Sequence, residues 1–389
     1  MPYTLDCQNK TDAPSFRQLY LPVYGAMLGM PPLESRGDRP LKMTFEDQLT
    51  TLIFFHLEEH TSAQHLLQDL EEDDFAREVI APEEGIKKSS FSEAINSRGL
   101  EQLIHIYQNL QSKAIDVLPK EYDELGDLIG IDGSLIDACL SMHWADYRKG
   151  SKKAKVHLGF DLNRSIPRKI FLSDGKGAER PFVSMILSPG QTGVMDRGYQ
   201  AHDRFDRWQE EGKHFLCRIK ASTRRKRIKD NEINPDSTIF YDAIVLLGTA
   251  GVNQTKKPLR LVGYTVDDKK YWVATSRYDL TAEQIAFIYK LRWDIEKFFA
   301  WWKRHLKVYH LIARSDYGLM VQILSGLITY LLLAIYCREQ HNEKVSIKRV
   351  RQLRIKIQNE TRIANKHIAY SSFESNFKNH KISDCYANT

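Results

Sequence analysis

Three acidic residues stand at positions from which carboxylates can act together. Asp132 and Asp196 each close a short apolar run, in GIDG and VMDRG, and the ends of strands in an open α/β sheet are where ligands bind. Carboxylates placed there serve as oxygen ligands for a cation such as magnesium, or as the acid and base pair of a glycosidase. A polar turn residue after a strand explains either aspartate alone equally well. The position of the third acidic residue, Glu296, is therefore needed to distinguish functional carboxylates from ordinary turn residues.

Glu296 lies in a helical stretch that begins at Thr281, whose hydroxyl can cap the helix, and runs to about Leu306. At about 100° per residue, four polar residues share an arc of about 60°. They are Tyr289, Arg292, Glu296 and Lys303. The adjoining arc is apolar and is predicted to be buried; it holds Ile288, Leu291, Ile295, Phe298, Phe299, Trp302 and Leu306. The remaining side, predicted to be solvated, holds Lys290, Asp294, Lys297 and Arg304. A plain salt-bridge ladder of Arg292 with Glu296, four residues apart, would give the same polar stripe.

The first third of the chain has a helical hydrophobic period. Thr44-x-x-Asp47 and Ser90-x-x-Glu93 each precede an apolar stretch, which is the pattern of a helix start. Residues 1–125 are therefore predicted to form an all-α N-terminal domain.

The period changes at about residue 126 to short apolar runs separated by turn residues, such as KVHLGFDLN, RKIFLSD and HFLCRIK. Runs of this length, rich in Val, Ile and Phe, predict strands of an α/β domain over 126–338. Within that domain, residues 221–280 are predicted to form a β-rich insertion. A basic, helix-compatible segment follows over 339–389.

The composition sets limits on function. The chain has 389 residues and a net charge of +6, an excess that favours polyanionic partners without proving them. Its five cysteines show no CxxC pair, and no histidines cluster at zinc-ligand spacing, so reduced thiols are predicted. They are Cys7, Cys139, Cys217, Cys337 and Cys385.

Two further features bear on location. The N-terminus lacks the charged start and apolar run of a secretory signal, so a cytoplasmic protein is expected. The apolar stretch Met320 to Cys337 is long enough to raise the question of a membrane span, but it carries Gln322, Ser325 and Thr329. A buried core helix is the better interpretation.

These residues resemble those of a known family, the insertion-sequence transposases of the DDE class with the signature Tyr-x2-Arg-x3-Glu-x6-Lys. Tyr289, Arg292, Glu296 and Lys303 match that spacing at every position. The segments IDGS at 131–134 and DRGY at 196–199 are similar to those around the first and second aspartates of the family. The resemblance covers about 126–335.

The resemblance implies a ribonuclease-H-like catalytic core with a β-rich insertion. Asp132, Asp196 and Glu296 would be the catalytic residues and metal ligands, with Asp132 on the first strand and Asp196 just after the fourth. Two Mg²⁺ ions, replaceable by Mn²⁺, would support in-line phosphodiester cleavage and strand transfer in cut-and-paste transposition. Tyr289, Arg292 and Lys303 would hold double-stranded DNA near the cut. Joining two element ends suggests a homodimer, and a prokaryotic, nucleoid-associated enzyme is expected.

Further DNA contacts are predicted from basic clusters. One cluster begins the insertion; it consists of Arg224, Arg225, Lys226, Arg227 and Lys229. A second lies in the first strand connection, at Lys149, Lys152, Lys153 and Lys155. Lys87 and Lys88 precede a short helix that could enter the major groove. Solvated basic loops would show the same pattern.

An aromatic side chain is expected to hold a flipped base if excision passes through a DNA hairpin, as in related enzymes. Trp272 is the candidate, although an ordinary strand tryptophan in a small core explains it as well. Trp208, Trp301 and Trp302 compete with it.

Three other functions remain open at this stage. A catalytically silent, transposase-derived DNA-binding protein would keep the fold without the reaction. A glycosidase would use the carboxylates but leaves Arg292, Lys303 and the basic clusters unexplained. A membrane protein would be built on residues 320–337.

Overall fold

The computed structural model describes residues 13–33, 41–82, 84–139, 141–149, 151–360 and 362. The chain divides into two compact units. One, here called the helical unit, consists of residues 1–113 and 305–389; the other, the sheet unit, consists of residues 114–304. This division differs from the boundaries expected from the sequence, because the long apolar helix near residue 330 groups with the N-terminal helices.

The described residues of the helical unit form helices and connecting turns without strands. The helices are α1 (Pro14–Ala26), α2 (Phe45–Leu57), α3 (Ala63–Glu72), α4 (Lys88–Ser97), α5 (Leu100–Val117), which continues into the sheet unit, and α10 (Asp316–His341). Residues 347–360 are also helical. Cys7, Cys385 and most of the basic segment after residue 360 lie outside the described residues.

Helix α10 is the core of the helical unit. It is the one helix of the described residues that is long and apolar enough to cross a membrane, and 94% of its apolar window is buried inside the protein. Its polar side chains bond within the unit: Gln322 donates to the carbonyl of His310 at 2.7 Å, and Thr329 donates to that of Ser325 at 2.8 Å. The prediction of a core helix is confirmed.

The two predicted helix starts in this unit have different outcomes. Thr44 caps α2 in a reciprocal capping box with Asp47, as predicted. The start at Ser90 is wrong: α4 begins at Lys88, because the backbone at Lys87 is extended and its carbonyl already accepts the amide of Phe91 at 3.0 Å. Ser90 therefore lies inside the helix and does not cap it.

The sheet unit is built on one mixed sheet of ten strands. The strands are β1 (Leu128–Asp137), β2 (Asp146–Arg148), β3 (Ser151–Asp161), β4 (Ile166–Asp174), β5 (Thr192–Met195), β6 (His214–Arg218), β7 (Arg225–Asp230), β8 (Ile239–Leu247), β9 (Leu259–Val266) and β10 (Lys269–Thr275). Their order is β2-β3-β1-β5-β6-β10-β9-β8-β7, with β4 also paired to β3. β1 pairs antiparallel with β3 and parallel with β5, and β5 pairs parallel with β6.

The β-rich segment predicted at 221–280 supplies β7 to β10, which are antiparallel. These strands do not form a separate sheet. β10 pairs with β6 through Val273 opposite Arg218, so the segment extends the central sheet. Residues from both parts share one core, in which Phe215 and Ala274 are fully buried.

Four helices cover the sheet: α6 (Arg180–Ile186), α7 (His202–Glu210), α8 (Ala282–Leu291) and α9 (Trp293–His305). Thr281 caps α8 as predicted, in a capping box with Gln284. The single helix expected from Thr281 to about Leu306 is wrong, since it is interrupted at Arg292. Around that residue the backbone bonds span three residues, from Arg292 to Tyr289 and from Ile295 to Arg292, which is the tighter 3₁₀ spacing.

Candidate functional site

The register of two parallel strands places Asp132 beside Asp196. Gly130 of β1 is level with Val194 of β5, and each aspartate comes two residues further along its strand. Side chains two residues apart point to the same face, and neighbouring strands lie about 4.8 Å apart. The two aspartates therefore project from adjacent positions. Asp196 directly follows β5, as expected, but the expectation that Asp132 closes its strand is wrong, because β1 continues in its pairing with β3 to Asp137.

Helix α9 packs along β1 and brings Glu296 to the same edge. A Cβ added at Gly130 would lie 3.6 Å from Cβ of Ile295. The helix therefore contacts β1 at the residue next to Glu296. Seven residues further on, Lys303 donates from Nζ to the carbonyl of Leu135 at 2.6 Å. The apolar arc of this helix is buried as predicted, with Ile295 and Trp302 fully inaccessible.

Each aspartate accepts a backbone amide from a residue that closely follows it in the chain. Oδ1 of Asp132 accepts the amide of Gly133 at 2.8 Å. Oδ1 of Asp196 accepts the amide of Gly198 at 2.8 Å, which fixes the 3₁₀ turn after β5. Burial raises the pKa of Asp132 to about 6; the Gly133 amide and Arg292 oppose this rise, and the carboxylates of Asp196 and Glu179 add to it.

A divalent metal fits this donor set. Among the described residues, no Lys, Arg or His forms a direct ion pair with Asp132 or Asp196, so the two close carboxylates have no cation in contact with them. Oxygen donors of this kind are those that Mg²⁺ and Mn²⁺ prefer. The carboxylates of Asp132, Asp196 and Glu296 are not all within 4.8 Å of one another.

Arg292 lies between the acidic residues. Its Nη1 is 2.7 Å from Oε1 of Glu296, its guanidinium carbon is 5.6 Å from the ring centre of Tyr289, and its charge acts on Asp132. Tyr289 is 6% exposed, and burial raises its pKa to about 12. Three of the four residues in the predicted stripe are thus gathered, while Lys303 lies farther along β1.

Sequence reasoning missed Glu179, the residue before α6. A Cβ added at Gly133 would lie 2.9 Å from Oε1 of Glu179, so this carboxylate is packed against the residue after Asp132. Lys155 holds it at 3.1 Å. No periodicity marks Glu179, because it reaches the site from a loop, GKGAER, whose path only the tertiary structure defines.

Sequence reasoning also missed a basic cleft next to the turn that carries Asp196. It has a volume of about 590 Å³. Four cationic side chains line it, namely Arg180, Arg197, Lys220 and Lys256. They come from four separate segments, so no run of basic residues reveals them.

The predicted basic cluster at the start of the insertion lies on β7 and at Arg224 just before it, at one edge of the sheet. Arg224, Lys226 and Arg227 are exposed there, and Arg227 lies 3.4 Å from Asp230. Arg225 differs, since its guanidinium stacks 3.8 Å above the ring of Trp272.

Trp272 is partly buried against the core of the sheet. Because Arg225 covers one face of the ring, a base could stack there only by displacing the guanidinium. This arrangement favours the ordinary core role that the sequence left open. Trp208 and Trp302 are fully buried. Trp293, next to Arg292 and not singled out by sequence, is 56% exposed.

The other basic residues proposed from sequence are dispersed. Lys152, Lys153 and Lys155 lie on β3 and not in a strand connection as expected. Lys153 pairs with Asp137 at 2.5 Å, and Lys155 pairs with Glu179. In the helical unit, Lys87 and Lys88 lie exposed at the start of α4. Their predicted roles in DNA binding stay predictions.

Sheet and site define a mixed α/β domain with an acidic, partly buried centre. Residues 124–332 match the family described as transposase DDE domain, which is more than half of the chain. The chain therefore belongs to the DDE transposase family, and the resemblance to insertion-sequence transposases is confirmed.

Three relatives carry names that agree with this family. A protein named as a transposase for insertion sequence element IS5377 of Geobacillus stearothermophilus is 26% identical over 207 residues, which are 52% of this chain and 55% of that protein. A protein named as transposase y4zB of Sinorhizobium fredii is 29% identical over 202 residues, which are 50% of this chain and 56% of that protein. A protein named for insertion sequence element IS4SA of Synechocystis is 25% identical over 263 residues, covering 65% and 72%. The chain thus spans about half the length of the first two.

Proposed function

We propose that the chain is an active transposase that binds the ends of its insertion sequence and moves it by cut-and-paste transposition. The observation that carries the proposal is the level placement of Asp132 and Asp196 on adjacent parallel strands, with Glu296 on the helix packed over the first of them. A retained DNA-binding relic has no need of three carboxylates at one edge.

The sheet supports a ribonuclease-H-like core. Five of its strands run in the order β4-β3-β1-β5-β6, the first three antiparallel and the last three parallel. In chain order the first of these strands is β1, which carries Asp132. Asp196 follows the fourth in chain order if the three-residue β2 is set aside.

Asp132, Asp196 and Glu296 would hold two magnesium ions. When bound, such ions activate the attacking oxygen and neutralise the leaving oxygen of the phosphodiester. The chain's own residues orient the DNA. Arg292 and the cations of the basic cleft can donate charge-assisted hydrogen bonds to phosphate, and Tyr289 packs against Arg292 and limits its movement.

The helical unit would bind the element ends, with Lys87 and Lys88 contacting phosphate. Two ends must be held together for strand transfer, so a homodimer on DNA is part of the proposal. The site of action would be the prokaryotic nucleoid.

The test is cleavage of DNA carrying the sequences that flank the coding region, with and without Mg²⁺. Wild type is compared with Glu296→Gln, which keeps the size of the side chain and removes its charge. Glu283→Gln, an exposed change in the first turn of α8, is the matched control. We expect wild type and the control to cut, and Glu296→Gln to bind the same DNA without cutting. If wild type binds and does not cut with Mg²⁺ or Mn²⁺, the relic interpretation replaces the proposal.

A further inference from the structure

A second group of metal-ligand atoms lies in the helical unit, outside the acidic site. The ligand atoms of His60, His65 and Asp69 all lie within 4.8 Å of one another. Oδ2 of Asp69 is 2.8 Å from Nε2 of His60 and 3.7 Å from Nε2 of His65. Two imidazole nitrogens thus face one carboxylate oxygen.

The backbone builds this cluster from two elements. His60 follows α2 after Glu59, whose positive φ of 58° turns the chain toward α3. Ser62 caps α3 by accepting the amide of His65. His65 and Asp69 are then one helical turn apart on the same face. Four residues separate His60 from His65, a spacing typical of zinc ligands, so the expectation that no histidines cluster at such spacing is wrong for this segment.

His60 has the surroundings of a metal-bound imidazole. Its side chain is fully buried and packs against the rings of Phe54 and Phe55. Its second nitrogen, Nδ1, lies 3.3 Å from the carbonyl of Phe55. Metal-binding histidines commonly donate this second N–H to a carbonyl, which leaves Nε2 free as a ligand.

The hydrogen-bond partners of His60 support this arrangement. A neutral imidazole, the form that binds a metal, has a single N–H to donate. Both of its nitrogens face oxygen acceptors, and one proton cannot satisfy both. A cation between Nε2 and the Asp69 carboxylate would supply the missing partner.

We propose that His60, His65 and Asp69 form a binding site for a divalent transition metal of the zinc type. Zinc bonds of about 2.0–2.2 Å in a tetrahedron set ligand atoms roughly 3.3 Å apart. The observed separations lie on both sides of that value, so small side-chain rotations would close the site. His65 is 51% exposed and Asp69 is 36% exposed, which gives the ion a path from solvent. A bound ion would join the end of α2 to the first turns of α3.

The test uses the full chain carrying Asp132→Asn and Asp196→Asn, so that metal binding at the proposed catalytic site is weakened. After removal of metals with a chelator, Zn²⁺ alone is titrated to obtain stoichiometry and affinity, and Co²⁺ alone is titrated to record its visible absorption. We expect one equivalent per chain and the absorption of four-coordinate Co²⁺. His65→Gln and Asp69→Asn should each weaken binding by at least about tenfold.

His341→Gln changes a histidine of the same unit outside the cluster and should bind as the parent does. Urea unfolding with and without Zn²⁺ accompanies each titration, and the zinc-dependent shift of the midpoint should vanish in His65→Gln and Asp69→Asn. Absence of a saturable equivalent in the parent, or equal binding and an equal shift in His65→Gln, would overturn the proposal. Either result leaves the proposed transposase function untouched.

Discussion

Nη1 of Arg292 lies 2.7 Å from Oε1 of Glu296, four residues away, at the point where α8 gives way to α9. The side chain of Arg292 is only 12% exposed, whereas that of Glu296 is 34% exposed. The pair therefore differs from an exposed salt bridge between neighbouring helix turns. The charge of Arg292 also lowers the pKa of Asp132, and its guanidinium packs on the ring of Tyr289. Metal binding by Glu296 would compete with this ion pair.

Replacing Arg292 tests whether it acts on DNA. Arg292→Gln should reduce cleavage by about tenfold to a hundredfold, since a hydrogen bond to a charged group contributes about 1.5–3 kcal/mol. The rate is measured with saturating DNA, and affinity is measured by fluorescence anisotropy. Lys290→Gln, an exposed change two residues earlier, is the control and should cut at the parent rate. Equal rates in both variants would restrict Arg292 to a structural role.

Replacing the carboxylate of Asp132 by an amide should stabilise the metal-free protein. Asp132 lies close to Asp196 and Glu179, and the described residues supply no ion pair to it. Asp132→Asn relieves this repulsion, so the free energy of unfolding without metal should rise by about 1 kcal/mol while cleavage is lost. Urea unfolding in a chelator measures the change.

The matched control for that change is Asp137→Asn on the same strand. Asp137 pairs with Lys153 at 2.5 Å, so its loss should not stabilise the protein. A lower unfolding free energy for Asp132→Asn than for wild type would show that repulsion between the carboxylates does not destabilise the metal-free protein.

Two tryptophans should respond differently to truncation. Trp272→Ala removes a ring packed on the core and on Arg225, and should lower the free energy of unfolding by about 3 kcal/mol. Trp293→Ala removes a ring that is 56% exposed and should leave stability nearly unchanged. If Trp293 stacks on a base, its loss weakens a step after DNA binding by about 1–3 kcal/mol.

Unfolding curves and the rates of cleavage and strand transfer separate the two effects. A variant Trp272→Ala that stays as stable as wild type but stalls after the first cut would restore Trp272 as the base-holding residue.

His56 should make the helical unit sensitive to acid. Its Nε2 lies 3.0 Å from Oγ of Ser325 inside the unit, and burial lowers its pKa to about 4 from an ordinary value of 6.5. Between these two pH values, His56 is protonated in the unfolded chain and neutral in the folded chain. Stability from this residue is present above pH 6.5 and is lost as the pH falls toward 4, by about 3 kcal/mol in total.

Urea unfolding at several pH values between 7 and 4 measures this loss. His56→Gln should show a shallower decline than wild type. Ser325→Ala removes a partner but keeps the imidazole, so it should retain the wild-type slope. Parallel curves for wild type and His56→Gln would exclude His56 as the source.

Local features of the fold were determined by the sequence, because they depend on neighbours in the chain. Thr44 and Thr281 cap helices through side chains three residues away. The strands β1, β3 and β5 follow short apolar runs, and the buried face of α9 follows a period of 3.6 residues. The family resemblance also rests on spacing along the chain. The roles of Asp132, Asp196 and Glu296 as ligands remain predictions of that spacing.

Only the tertiary structure decided which distant groups meet. Glu179 reaches Gly133 from a loop, and Arg225 covers Trp272 across two strands. Strand pairing also made the 221–280 segment part of the central sheet. These contacts depend on register and packing between segments far apart in sequence, and no local period encodes them.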